Sequence, residues 1–287
     1  LILIFSQMDL ARQTGFAPKK EMTDNRTIYQ VDAFTDEPFK GNPAGVMIVD
    51  DRTTAVWMQN MASEMNLSET AFIIPKGSGF AIRYFTPAQE VPLCGHATLA
   101  GSHIIYELGL KKAHETIAFS AAGGELTIRK DKEWIVMDFP QYPFQKMDIP
   151  GDFKACLGFE PIEMFESIYN WKIAVASREA DIANARPDFE SMKRKGLGEL
   201  MITARCDSGK ADIVVRCFAP DSGISEDPVT GSAHCALTPL WCEKLGKTEL
   251  DSLQLSKRTG RLRVKLNHDR VQIKGKAVTI FEARLKI

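Results

Sequence analysis

The chain has 287 residues, enough for two domains with cores of their own, and 44% hydrophobic with 25% charged residues is the composition of a folded, soluble protein rather than a disordered one. With 36 Lys and Arg against 37 Asp and Glu the formal net charge is −1, so charge implies neither a nucleic acid nor an anionic membrane, and Lys193-Arg194-Lys195 reads as a solvated helix face. The six cysteines (Cys94, Cys156, Cys206, Cys217, Cys235, Cys242) form no CxxC pair and no zinc-finger spacing, which points to reduced thiols in a cytoplasmic protein. No HExxH, Walker loop or dinucleotide fingerprint occurs, so no bound metal or nucleotide is expected.

Leu1-Ile2-Leu3-Ile4-Phe5 is too short for a signal peptide and lacks a basic start, and residues 1–26 read as a leader or an expression-derived remnant. No later stretch is long and apolar enough to span a bilayer. Ile28 to Phe34 alternates and is rich in β-formers; Gly41-Asn42-Pro43-Ala44-Gly45 is expected to turn the chain into a second strand, Val46 to Val49, closing a hairpin. From Thr54 a helical pattern sets Trp57, Met61 and Met65 on one stripe as core fillers. The chain leaves it through Asn66-Leu67-Ser68-Glu69-Thr70 into the strand Ala71 to Ile74, stopped by Pro75. Leu126 to Ile128 and Trp134 to Met137 read as a strand pair, and the span from Pro140 to Pro150, with three prolines and no period, as the crossover between domains. Beyond it, Trp171 to Val175, Glu199 to Thr203 and Asp212 to Val215 read as strands, with a helix around Asp188 to Lys195. Leu262 to Leu266, Val271 to Ile273 and Ala277 to Phe281 complete the set, with turns at Asn267 and Gly275. The expected domains are 27–145, completed by the C-terminal strand 277–287, and 150–276.

Two passages echo each other about 133 to 137 positions apart. The first is Arg83-Tyr84-Phe85-Thr86-Pro87, then Glu90-Val91-Pro92-Leu93-Cys94-Gly95-His96-Ala97, then an apolar run ending at Leu108-Gly109. The second is Arg216-Cys217-Phe218-Ala219-Pro220, then Glu226-Asp227-Pro228-Val229-Thr230-Gly231-Ser232-Ala233, then a run ending at Leu245-Gly246. In each, a proline closes a strand, a polar bend follows, and Gly-x-Ala opens a helix that Gly109 or Gly246 can end in a left-handed conformation. The expected fold is therefore α+β: two pseudo-symmetric domains, each a mostly antiparallel, barrel-like sheet wrapped around one central helix. Both helix N-termini would face one cleft, where bare amides at Gly95 and Gly231 suit a substrate carboxylate; alternatively, these glycines only permit tight packing.

Glu69 sits where a polar loop meets a buried strand, so desolvation is expected to raise its pKa and let it donate and accept one proton in a turnover; the alternative is a salt-bridged surface Glu. His96 and Asp227 lie at matching bends and are expected to act on the same proton, or else to serve as a helix-start residue and a turn former. Ser232 is a hydroxyl donor to substrate or an N-cap. Cys94 is a thiolate base or a small buried residue, and Thr230 at the matching position excludes a symmetric two-thiol mechanism.

Together with Val31-Asp32-Ala33-Phe34, Gly41-Asn42-Pro43-Ala44-Gly45 and Asn66-Leu67-Ser68-Glu69-Thr70-Ala71-Phe72, and with His234 closing the second echo, these motifs resemble the phenazine-biosynthesis-protein-F-like family of the diaminopimelate epimerase superfold. The likeness runs from about Tyr29 to Phe281. It implies two similar domains, a site in the cleft between them, no cofactor and commonly a homodimer. In the family's characterised isomerase the residue matched by Glu69 moves a proton, and those matched by His96, Asp227 and Ser232 contact or orient substrate. Relatives that racemise or epimerise amino acids use two cysteines, whereas here Cys94 faces Thr230, which argues against diaminopimelate epimerase or proline racemase activity. The expected function is a cofactor-independent isomerase that moves a proton within a small carboxylate-bearing substrate. Its rivals are a Cys94-dependent epimerase or dehydratase of hydroxyproline-like acids, and a non-catalytic ligand-binding or interaction protein.

Overall fold

The computed structural model describes residues 27–286; the expected leader, 1–26, and the last residue of the expected strand 277–287 lie outside the described residues. Two sets of seven strands repeat one order and one pattern of directions. The first set is Thr27–Ala33, Asn42–Ile48, Glu69–Lys76, Gly79–Phe85, Ile117–Ala121, Gly124–Asp131 and Trp134–Pro140. The second is Glu163–Ser167, Lys172–Val175, Leu200–Arg205, Ile213–Ala219, Glu249–Gln254, Gly260–Asn267 and Arg270–Gly275. In each set the second and third strands, and the fourth and fifth, run parallel, and the other neighbours are antiparallel. The last strands of the two sets, Trp134–Pro140 and Arg270–Gly275, pair with each other. Each half also lends a strand to its twin: Ala277–Arg284 pairs with Thr27–Ala33, and Phe144–Met147 with Glu163–Ser167.

Parallel neighbours need a long crossover, and helices supply it. The helix Gly95–Glu107 bridges Gly79–Phe85 and Ile117–Ala121, and His234–Leu245 bridges Ile213–Ala219 and Glu249–Gln254. Both helices are apolar nearly all round, and the sheets wrap them, so that Leu99, Ile104, Ala236 and Leu237 are fully buried. The expected α+β architecture of two pseudo-symmetric, barrel-like halves is the one observed.

Both central helices end on the expected glycines. Gly109 has φ +69°, and Gly109 and Leu110 donate their N–H groups to Tyr106 and Ile105, the paired bonds of a Schellman motif; Gly246 has φ +63°, and Lys247 reaches back to Cys242. Pro239 sits inside the second helix. Its missing N–H frees the Cys235 carbonyl, which instead accepts from Tyr142 N–H at 2.9 Å, in the segment that links the halves.

Four expectations are corrected. The second strand starts at Asn42 rather than at Val46, because Pro43 precedes the ladder to Glu69–Lys76, which begins at Ala44, so its missing N–H costs no bond there. The strand after Thr70 runs through Pro75 to Lys76, since Pro75 lies at its hairpin end opposite Phe80. The proline-rich linker contains the strand Phe144–Met147. The second central helix opens at His234, three residues after Gly231, because its first turn is wound tighter: His234 and Cys235 donate to the carbonyls three residues back.

Candidate active site

The sheet ends and helix starts of the two halves meet at one place. Asn42 and Glu69 are the first residues of adjacent strands, Cys94 is the N-cap of the first central helix and His96 its second residue. From the other half, Asp227 ends the short strand Ile224–Asp227 and leads through Thr230 and Gly231 into the second helix. A Cβ built on Gly95 would have Gly231 Cα as its nearest neighbour, at 3.9 Å, so the two helix starts face one another as the repeat implied. Neither helix is capped by a side chain; the first-turn amides of His234, Cys235 and Ala236 are used within the tighter turn, so the amides left for a ligand are those at the start of the first helix, at Gly95, and those of Gly231 and Ser232 just ahead of the second.

Glu69, His96 and Asp227, expected to act together, are brought together. His96 Nε2 lies 3.2 Å from Glu69 Oε2, with both side chains less than one-sixth exposed. The contact lacks hydrogen-bond alignment, and Glu69 Oε2 receives no aligned donor. Asp227 is reached through Asn42, whose Nδ2 donates to Asp227 Oδ1 at 2.8 Å and to the Val229 carbonyl at 2.9 Å, and sits 3.3 Å from His96 Nδ1. Thr230 Oγ1 donates to Asp227 Oδ2 at 2.5 Å. Gln254 braces this bend, accepting from Thr230 N–H and donating to the Asp227 carbonyl. His234 is the buried prop behind it: burial holds its pKa down to about 4, so the neutral ring hydrogen-bonds with Thr230 O and Ser252 Oγ.

The charge state of Glu69 corrects the expectation. Burial pushes its carboxyl up, but the adjacent His96 outweighs burial, with help from Cys94, and the net shift is downward. Burial opposes a charged His96, yet the neighbouring Cys94 and Glu69 carry its pKa well above the usual histidine range. Both shifts run toward a charged pair, Glu69 downward and His96 upward. Asp227 moves the other way: burial and the nearby Glu69 charge raise it, against His96 and the Thr230 and Asn42 hydrogen bonds.

Cys94 is buried with Sγ 3.5 Å from His96 Nδ1, and burial together with the Glu69 charge raises its thiol pKa. One oxygen of Glu69, the sulfur of Cys94 and one nitrogen of His96 lie within 4.8 Å of one another, a donor set that spacing along the chain did not show because Glu69 comes from a different strand. Ser232 is exposed beside Gly231, and its hydroxyl takes no part in the hydrogen bonds among the described residues; Ala233 occupies the N-cap position. Asn42 is the residue that sequence reading missed. It was absorbed into an expected turn, and its partners lie 54 to 187 positions away.

Among the described residues no helix is long and apolar enough to cross a membrane. The model of the PhzC-PhzF family, "Phenazine biosynthesis-like protein", matches residues 31–283. An "uncharacterized isomerase" of Halalkalibacterium halodurans is 44% identical over 259 residues, covering 90% of this chain and 97% of its own. A crystal structure of a phenazine biosynthesis protein PhzF family member from Enterococcus faecalis superposes with a TM-score of 0.86 at 37% identity, covering 91% of this chain and 99% of that one. A hydroxyproline epimerase of Agrobacterium vitis, 10% identical with a TM-score of 0.57 and coverage of 91% and 90%, shares the fold alone. With its ordered motifs and its whole fold in register with these proteins, the chain belongs to the phenazine biosynthesis-like PhzC-PhzF family.

Proposed function

We propose that this protein is a cofactor-independent isomerase that moves a proton within a small carboxylate-bearing substrate, with Glu69 as the proton carrier. The isomerase class is the one its curated relatives are named for. The observation that carries the reading is the position of Glu69, whose buried Oε2 lies 3.2 Å from His96 Nε2 with no aligned donor, at the seam where two helix starts without side-chain caps meet. An anionic oxygen without a donor takes a proton rather than shares one. In this reading the amides at Gly95 and Gly231 hold the substrate carboxylate and stabilise charge as it develops. Glu69 removes a proton from one carbon and returns it to another, while the imidazolium of His96 offsets the change in charge. Asp227, held by Asn42 and Thr230, orients the substrate, and Ser232 donates a hydrogen bond to it.

Cytoplasmic, homodimeric operation is part of the proposal: it rests on six cysteines that are all free thiols and on the family likeness. Sedimentation of the purified protein at twice the 32.0 kDa chain mass is the expected result.

One observation favours a rival, Cys94 Sγ at 3.5 Å from an imidazole, the arrangement of a thiol base. Turnover of a panel of small cyclic and amino carboxylates separates the two. The proposal expects Glu69→Gln to abolish conversion and Cys94→Ala to spare it, and the reverse pattern would establish the thiol enzyme. Binding without conversion, unchanged by Glu69→Gln, would mark a ligand-binding protein.

A further inference from the structure

The thiol of Cys94 does not itself carry the proton in the proposed transfer, yet it converges on Glu69 and His96, which serve it. We propose that Glu69, Cys94 and His96 form an inhibitory site for a divalent transition-metal ion of the zinc class. The trio supplies one carboxylate oxygen, one sulfur and one imidazole nitrogen, and it is the one group of its kind among the described residues. Mixed S, N and O donors suit zinc, whereas calcium and magnesium take oxygen. With zinc bonds of about 2.3 Å to sulfur and about 2.0–2.2 Å to nitrogen and oxygen, neighbouring ligands of a tetrahedron stand roughly 3.3–3.6 Å apart.

The structure already approaches that spacing, with His96 Nε2 at 3.2 Å from Glu69 Oε2 and at 3.9 Å from Cys94 Sγ, and with all three donors inside 4.8 Å. All three residues start rigid elements: Cys94 and His96 share the first turn of a buried helix, and Glu69 opens a strand beneath it. On coordination the thiol proton, and any proton on the ligating nitrogen, leave to solvent. The ion then occupies the Glu69 oxygen that serves as base, so bound metal and proton transfer exclude each other. Only this last consequence rests on the proposed function.

The test needs no substrate. Chelator-treated, dialysed protein is titrated with Co²⁺ while thiolate-to-cobalt charge-transfer absorption is followed, and zinc affinity is then measured by competition with a chromogenic chelator. One equivalent of cobalt giving that absorption, displaced by zinc, is expected. Cys94→Ser should abolish the absorption, and both Cys94→Ser and His96→Gln should weaken zinc binding by more than the roughly 10–100-fold that loss of a mere supporting hydrogen bond costs. Thermal unfolding confirms that each variant is folded. Folded wild-type protein without the absorption, or absorption retained in Cys94→Ser, would overturn the site while leaving the proton-transfer reading untouched.

Discussion

Glu69 is defined as much by its neighbour as by its burial. If it carries the proton, Glu69→Gln lowers turnover by about 10²–10⁴-fold with the fold intact, as steady-state rates and thermal unfolding together would show. The ion pair also sets a pH signature in stability. A carboxyl depressed below 4.5 contributes above its unfolded value and loses that contribution only as pH falls through the folded value. An imidazole raised above 6.5 contributes fully below that pH and loses its contribution as pH rises through the folded value. The stability gap between wild type and His96→Gln is therefore widest at mildly acidic pH and narrows in alkali; a gap independent of pH, measured by urea unfolding, would contradict the pair. Much of the site was legible at this scale, because Glu69, His96, Asp227 and the two glycines sit in motifs that repeat or stand at a loop-to-strand junction. Asn42 was not: an Asn between Gly and Pro is ordinary turn chemistry, and only the fold shows its amide donating to Asp227 beside the His96 ring.

At the scale of elements, alternation, capping residues and the two echoes located most strands and both central helices. What they could not locate were exceptions to proline's usual meaning, such as a strand that starts at Asn42 beside Pro43, a strand inside a proline-rich linker and a helix that tolerates Pro239. Each is settled by which carbonyl or N–H has a distant partner, information that local sequence does not hold. Gly41 gives this scale its test. It has φ +68°, and a Cβ there would fall 2.2 Å from the Ala33 carbonyl oxygen, a backbone atom that cannot swing away. Gly41→Ala should cost more than about 2 kcal/mol in urea unfolding and lower activity by displacing Asn42 next to it.

Across the whole molecule, the two halves are stitched beside the site as well as through the shared sheet. Gly41 N–H donates to Thr259 O at 2.7 Å, Arg261 N–H to Phe34 O at 2.9 Å, and Arg258 spans Asp32 and the carbonyls of Lys40 and Gly41. Asp32 is fully buried, and burial lifts its carboxyl pKa while Arg258 pulls it down. Arg258→Ala should thus cost about 3–5 kcal/mol at neutral pH, and the loss should shrink as pH falls and Asp32 takes up a proton, again read by urea unfolding. That stitching holds the helix starts facing each other, and with them Glu69 and Asp227 in one place. The most direct test of that arrangement is to incubate the protein in deuterated water with small cyclic and amino carboxylates and follow solvent-derived label by mass spectrometry. The account predicts label in a converted carboxylate that vanishes with Glu69→Gln and persists with Cys94→Ala. Label that survives Glu69→Gln and vanishes with Cys94→Ala would contradict it.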